Sequence, residues 1–201
     1  MNEKFFELKK EKQDRMINAA LLIFAKYGYH HASTDEIVKT AEISKGLLFH
    51  YFGSKIGLYA FLYDYATRFV TLELAQNNVG KNETGYFELY KQILSARAAA
   101  MSQYPYILLF LQKAEEETYA EAVAEIKERR EKYKRIMEAL QEKADITVFP
   151  TEISYSMVWD MLEYTVNGIM TTHLKGDNFR ADLFLAEALE YVDMISKMVF
   201  S

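Results

Sequence analysis

Cysteine is absent from the chain. Disulfides and thiolate metal sites are therefore excluded, and the composition suits a reducing, cytoplasmic setting. Proline occurs only twice and glycine only eight times in 201 residues. With so few breakers, an almost wholly helical protein is expected. Long apolar runs are also missing. The longest are Ala19 to Ala25 and, counting its glycine, Ile56 to Tyr63, both far short of the ~20 residues that cross a bilayer. No amino-terminal apolar block has the pattern of a signal peptide, so no membrane association is expected. A strong basic excess is lacking too: the formal net charge is −5, which argues against a generic nucleic-acid binder. The distribution is uneven, however. Residues 1–60 hold 9 Lys and Arg against 7 Asp and Glu, whereas residues 61–201 hold 15 against 22. An acidic body disfavours DNA binding anywhere but the first sixty residues.

What is present centres on Ser33 to Lys55, STDEIVKTAEISKGLLFHYFGSK. Ser33 is placed to cap a helix, and Glu36 stands at capping-box spacing from it. Asp35 and Glu36 put negative charge on the positive end of that helix, and Ile37, Val38 and Ala41 form a small apolar face. Ser44 is placed to cap a second helix, Lys45 to Phe52, which Gly53-Ser54 ends. Two short helices joined by a tight turn make a helix-turn-helix. At about 100° per residue, Leu48 and Phe52 share one side of the second helix, and Gly46 and His50 point the opposite way. Leu47 and Tyr51 lie on one flank, Phe49 on the other, and the long chain of Lys45 reaches round from the first turn. A helix anchored on one side, with a small residue, a leucine, an imidazole, a phenol and a lysine on the rest, has the properties needed to enter a major groove.

The run from Ile17 to Leu58 resembles the DNA-binding domain of the TetR family of transcriptional regulators. The matching pieces are Ala19-Ala20 through Phe24, Tyr27-Gly28-Tyr29, Ser33-Thr34, Ile37, Ala41, Ser44-Lys45-Gly46 through Tyr51-Phe52, Ser54-Lys55 and Leu58. The resemblance implies a DNA interface formed by Ser33, Thr34, Ser44, Lys45, Gly46, Leu47, His50, Tyr51 and Lys55. Thr34 and Lys55, each at a helix start, would meet backbone phosphates, where free N–H groups also favour anions. Two positions depart from the pattern. Glu42 stands where the family usually has glycine, and it bears roughly 1 kcal/mol of strain if that position is left-handed. Phe49 replaces a common tyrosine, so no phosphate contact is assigned to it.

The expected fold is all-α: a three-helix helix-turn-helix domain over residues 1–58, then a larger helical ligand-binding and dimerisation domain over residues 59–201. Residues 1–30 read as one helix with a ragged start, carrying Lys9, Lys10, Lys12 and Arg15. Lys55 opens a long helix to about Asn77, and residues 77–82 read as a linker. Further helices are expected over 84–102, from Pro105 to Glu116, and over 120–144. The last of these carries acid-first i,i+4 pairs, such as Glu125–Arg129, that mark a solvated face. Helices over 154–172 and 179–200 follow, the latter apolar on more than one side. A homodimer through these last two helices, as a four-helix bundle, would cover the second apolar side. A deeply buried pair within a monomer is the other reading.

Aromatic residues are abundant in the second part. Tyr90, Tyr104, Phe110, Tyr133 and Trp159 are candidates for binding the small hydrophobic or aromatic effector that the resemblance implies, although aromatics at helical spacing also build cores. No nucleophile–base pair, paired carboxylates, phosphate loop or metal spacing stands out, so neither an enzyme nor a cofactor is expected. His30 and His31 are adjacent on a loop, a poor geometry for one ion. His173 lies near Asp177, but across the Gly176 break.

Overall fold

The computed structural model describes residues 3–82, 84–176 and 178–200. Asp177, set beside His173 in the sequence reading, lies outside the described residues. The secondary structure is almost entirely helical, as the scarcity of breakers requires. Helix α1 spans Glu3–Phe6, α2 Lys10–His31, α3 Thr34–Thr40, α4 Lys45–Phe52 and α5 Lys55–Gln76. Helices α6, Tyr86–Gln103, α7, Ile107–Glu115, and α8, Ala120–Gln141, follow. The last two are α9, Tyr155–His173, and α10, Ala181–Phe200. A two-residue parallel pairing of Thr84–Gly85 (β1) with Ala144–Asp145 (β2) was not anticipated from the sequence.

The chain forms two compact units, Met1–Phe69 with Tyr104–Lys134, and Val70–Gln103 with Arg135–Ser201. This division does not follow the boundary expected at residue 58. The physical reason is that α5 runs unbroken through that position and α7 packs along α2.

In the first unit the apolar stripe of α2 is the core. Ile17, Ala20, Leu21 and Phe24 are buried, together with Ile37 of α3, Leu48 of α4 and Leu58 and Leu62 of α5. Phe24 meets Tyr59 and Phe110 at ring-centroid distances of 5.2 and 6.3 Å. The expected single amino-terminal helix is instead two, α1 and α2, and Phe5 of α1 is completely buried. The side-chain amide of Gln13 holds the joint between them by donating to the carbonyls of Phe6 and Leu8 at 3.1 and 2.7 Å. In the second unit α10 packs on both α6 and α9, with Phe184, Ala188 and Val192 buried. Ion pairs Lys91–Asp193 and Arg97–Glu163, the latter at 2.7 Å, tie α6 to α10 and α9.

One face of α10 is left uncovered. Leu183, Tyr191, Met194 and Met198 are exposed, as are Met157, Met161 and Tyr164 on the adjoining α9. Among the described residues, no helix is long and apolar enough to cross a membrane.

Candidate nucleic-acid interface

Local capping sets the ends of the two short helices. The Ser33 hydroxyl oxygen accepts from the backbone N–H groups of Asp35 and Glu36 at 3.2 and 3.5 Å, and α3 begins at the next residue. The Ser44 oxygen accepts from the Leu47 N–H at 3.1 Å and opens α4. Such caps are worth about 1 kcal/mol each. Between them the turn passes through Glu42 at φ 54°. The backbone there is therefore left-handed, on a residue with a Cβ. The Glu42 carboxylate pairs with Arg15 of α2 at 3.0 Å, an exposed contact of small energetic weight.

Leu48 is buried and Phe52 half-buried, while Ser44, Lys45, Gly46 and His50 are exposed. Leu47, Phe49 and Tyr51 lie between these extremes. The faces of α4 are thus those read from its 100° periodicity. Ser33 and Thr34 are half-buried at the start of α3. Lys45 ties the two helix starts together through Asp35, Nζ to Oδ1 at 2.8 Å, and both side chains are solvated. A phosphate approaching Lys45 would exchange one anionic partner for another.

Lys55 sits differently from the expectation. Its ammonium does not stand free at the start of α5. It donates to the His30 carbonyl at 3.1 Å and lies 4.8 Å from the centroid of the Tyr29 ring. The cause is the end of α2, whose unsatisfied carbonyls and negative dipole attract a cation. Partial burial pushes the Lys55 ammonium below its ordinary range, and the charges of Glu117 and Glu121 act against that shift. The two adjacent histidines are accounted for by packing: His30 meets His31 edge to face and stacks on Tyr119, both at 4.7 Å. Among the described residues no cluster is suited to a metal ion. His173 meets Glu187, Nε2 to Oε2 at 2.8 Å.

Three features of this region escaped the sequence reading. Phe5 of α1 packs against Tyr51, Phe52 and Phe61 at 5.8, 5.2 and 5.2 Å, bracing the second half of α4 from behind. Its only local signal is a Phe-Phe pair ahead of a lysine-rich stretch. Gly57, in the first turn of α5, is required sterically: an added Cβ would overlap the Phe52 carbonyl oxygen. Glu117, at the corner between α7 and α8, accepts the Tyr29 backbone N–H at 2.8 Å, a partner 88 residues away that no local pattern reveals.

Of the five candidate effector residues, Tyr90, Tyr104, Phe110 and Trp159 are buried. Tyr104, Phe110 and Tyr133 belong to the first unit, and Tyr90 and Trp159 to the second. No single packed cluster of either unit holds all five. The Tyr104 hydroxyl donates to Asp14 Oδ1 at 2.5 Å and lies 2.7 Å from that of Tyr65. Phe110 packs on Tyr59 and Phe24, and Tyr133 is half-buried. Tyr90 stands edge-on to Trp159 at 5.1 Å.

Comparison with known proteins agrees with this geometry. The model of bacterial regulatory proteins of the tetR family matches residues 16–61. The uncharacterized HTH-type transcriptional regulator YuxN of Bacillus subtilis (strain 168) is 43% identical over 56 residues, 28% of this chain. The matched stretch spans 19% of that relative's length. Solved structures align along nearly the whole chain at low identity. The TetR family regulator PfmR from Thermus thermophilus has a TM-score of 0.61 at 18% identity, covering 91% of this chain and 97% of its own. The fatty acid degradation regulator FadR from Bacillus halodurans gives 0.58 at 19%, covering 89% and 96%. FadR from Bacillus subtilis, solved in complex with stearoyl-CoA, gives 0.57 at 16%, covering 90% and 96%. Residues 16–61 thus match the tetR family of bacterial regulatory proteins, and the chain shares its fold with solved regulators of low sequence identity.

Proposed function

We propose that this chain is a sequence-specific DNA-binding transcriptional repressor that acts as a homodimer on a palindromic operator and is released by a small hydrophobic or aromatic effector. Residues 1–58 form the DNA-binding part in this reading, and residues 59–201 the effector-binding and dimerisation part. The observation that carries it is the exposed face of α4: Lys45, Gly46 and His50 are solvated while Leu48 on the opposite side is buried. Such a helix presents its amino-terminal half to base edges in the major groove. Ser33, Thr34, Ser44 and Lys55 supply backbone contacts that set register, and Leu47, His50 and Tyr51 supply the side chains nearest the bases.

The uncovered apolar face of α9 and α10 supports a two-fold dimer, because soluble monomers rarely leave such a patch wet. A dimer of this kind reads half-sites about one helical turn, ~34–36 Å, apart. The solved relative bound to stearoyl-CoA supports an effector with a long apolar portion. An effector that binds one conformer of the dimer more tightly shifts the population away from the DNA-competent spacing.

Selection of bound duplexes from a random pool, followed by a salt titration of the winning sequence, tests this reading. The expected outcome is a palindrome whose affinity falls steeply with salt. Lys55→Ala then reduces the magnitude of the log–log salt slope by about one. A pool that yields no enriched sequence refutes the reading.

A further inference from the structure

Both oxygens of Glu117 are engaged by backbone N–H groups. Oε1 accepts from Thr118 and Tyr119 at 3.0 and 2.9 Å, which closes the corner ahead of α8. Oε2 accepts from Tyr29 at 2.8 Å. That amide needs a partner because of its neighbour. Gly28, at φ 66° and ψ 177°, interrupts the helical geometry of α2 just before it, and Tyr29 is almost fully buried. A buried N–H outside the regular ladder is costly unless it is met.

Tyr29 is in turn held at its other end, where its hydroxyl donates to Glu121 Oε2 at 2.9 Å. The ring fixed in this way carries the Lys55 ammonium on its face, and the next carbonyl along the chain, that of His30, accepts from the same ammonium. Lys55 is the first residue of α5 and follows α4 by only two residues. The α7–α8 corner therefore grips the end of α2, and the end of α2 seats Lys55. All of these residues belong to one compact unit.

We infer that Glu117 is a positioning residue for DNA binding: acting through Tyr29, it sets where Lys55 stands, so that any displacement of the α7–α8 corner is transmitted to the phosphate-facing end of α5. This rests on the DNA-binding reading of α3 and α4. A carboxylate suits the role. It offers acceptors in two directions at once, and its charge favours the lysine that it helps to seat.

Glu117→Asp separates positioning from capping. The shorter side chain still accepts from the two amides beside it but falls short of Tyr29. Operator affinity, with the selected duplex as probe, is measured for the wild type, E117D, K55A and the double variant, beside their melting temperatures. The expected result is about a tenfold loss for E117D in a chain that still folds but melts at a lower temperature, because the Tyr29 N–H has lost its acceptor. The double variant then binds no more weakly than K55A alone. Wild-type affinity in E117D, or losses that multiply independently in the double variant, overturns the inference and leaves the DNA-binding reading standing. Should E117D not fold, E117Q, which preserves size but replaces one acceptor by a donor, is put through the same cycle with the same two outcomes. A wild-type chain without salt-sensitive DNA binding overturns the underlying reading, and this inference falls with it.

Discussion

Glu42 stands at φ 54°, a region that costs a residue with a Cβ roughly 1 kcal/mol, and its exposed pairing with Arg15 recovers little of that. Glu42→Gly is expected to raise the melting temperature by about 2–4 °C, as roughly 1 kcal/mol does in a domain of this size. Calorimetry checks it, and a fall would show that the Arg15 contact outweighs the strain. Gly57 behaves in the opposite sense. Gly57→Ala drives a methyl into the Phe52 carbonyl, a backbone atom with nowhere to go, and is expected to lower the melting temperature well beyond the effect of alanine at the open Gly46. Glu117 provides a pH signature. Burial works against its charge, but the N–H groups of Tyr119, Tyr29 and Thr118 hold its carboxyl below the usual value of 4.5. With the folded pKa below the unfolded one, its contribution to stability is full above about 4.5 and is lost as pH falls through the folded pKa. The stability gap between the wild type and E117Q should therefore narrow on acidification, which thermal unfolding across pH 3–6 measures. Of these three residues only Glu42 was legible before the structure, and only through the family resemblance, which implies glycine at that turn. The demands on Gly57 and Glu117 arise from atoms that packing delivers.

An eight-residue helix such as α4 is too short to be stable alone. Its persistence rests on Leu48, buried against the first unit's core, and on the ring contacts that Phe5 of α1 makes with Tyr51 and Phe52. Phe5→Ala removes a fully buried ring. The expected result is faster amide exchange over residues 49–53 and weaker operator binding, with the oligomeric state unchanged. Unchanged exchange there would show that α1 does not brace α4. Helix starts were legible where a serine was read as a cap: α3 and α4 begin one residue after Ser33 and Ser44. The joint between α1 and α2 was not, since it is held by the side chain of Gln13 rather than by a breaker. The β1–β2 pairing escaped for a similar reason, as two residues are too few to show a period.

At the scale of the whole molecule, the exposed stripe on α10 has the i, i+3, i+4 spacing of a packing seam: Tyr191, Met194 and Met198 follow one another along one face. Met194→Lys places a charge in the middle of it. If the dimer forms there, sedimentation should show monomers, and operator affinity should fall on the order of 10²-fold as the second half-site contact is lost. A dimer that persists in this variant would move the interface elsewhere. The weak basic excess of the first sixty residues and the acidic remainder were visible by counting alone. The way in which the compact units divide was not, because α7, far along the chain, packs on α2.

Composition and short-range spacing were enough for the helical class and for the caps and faces of α3 and α4. Each of these follows from chemistry acting within about four residues of its origin. Long-range packing is what turns Lys55 back onto the end of α2, brings Glu117 to Tyr29 and sets Phe5 beneath α4. Those outcomes depend on which distant groups share a buried space, and a buried amide, ring or ammonium takes the partner that packing brings to it.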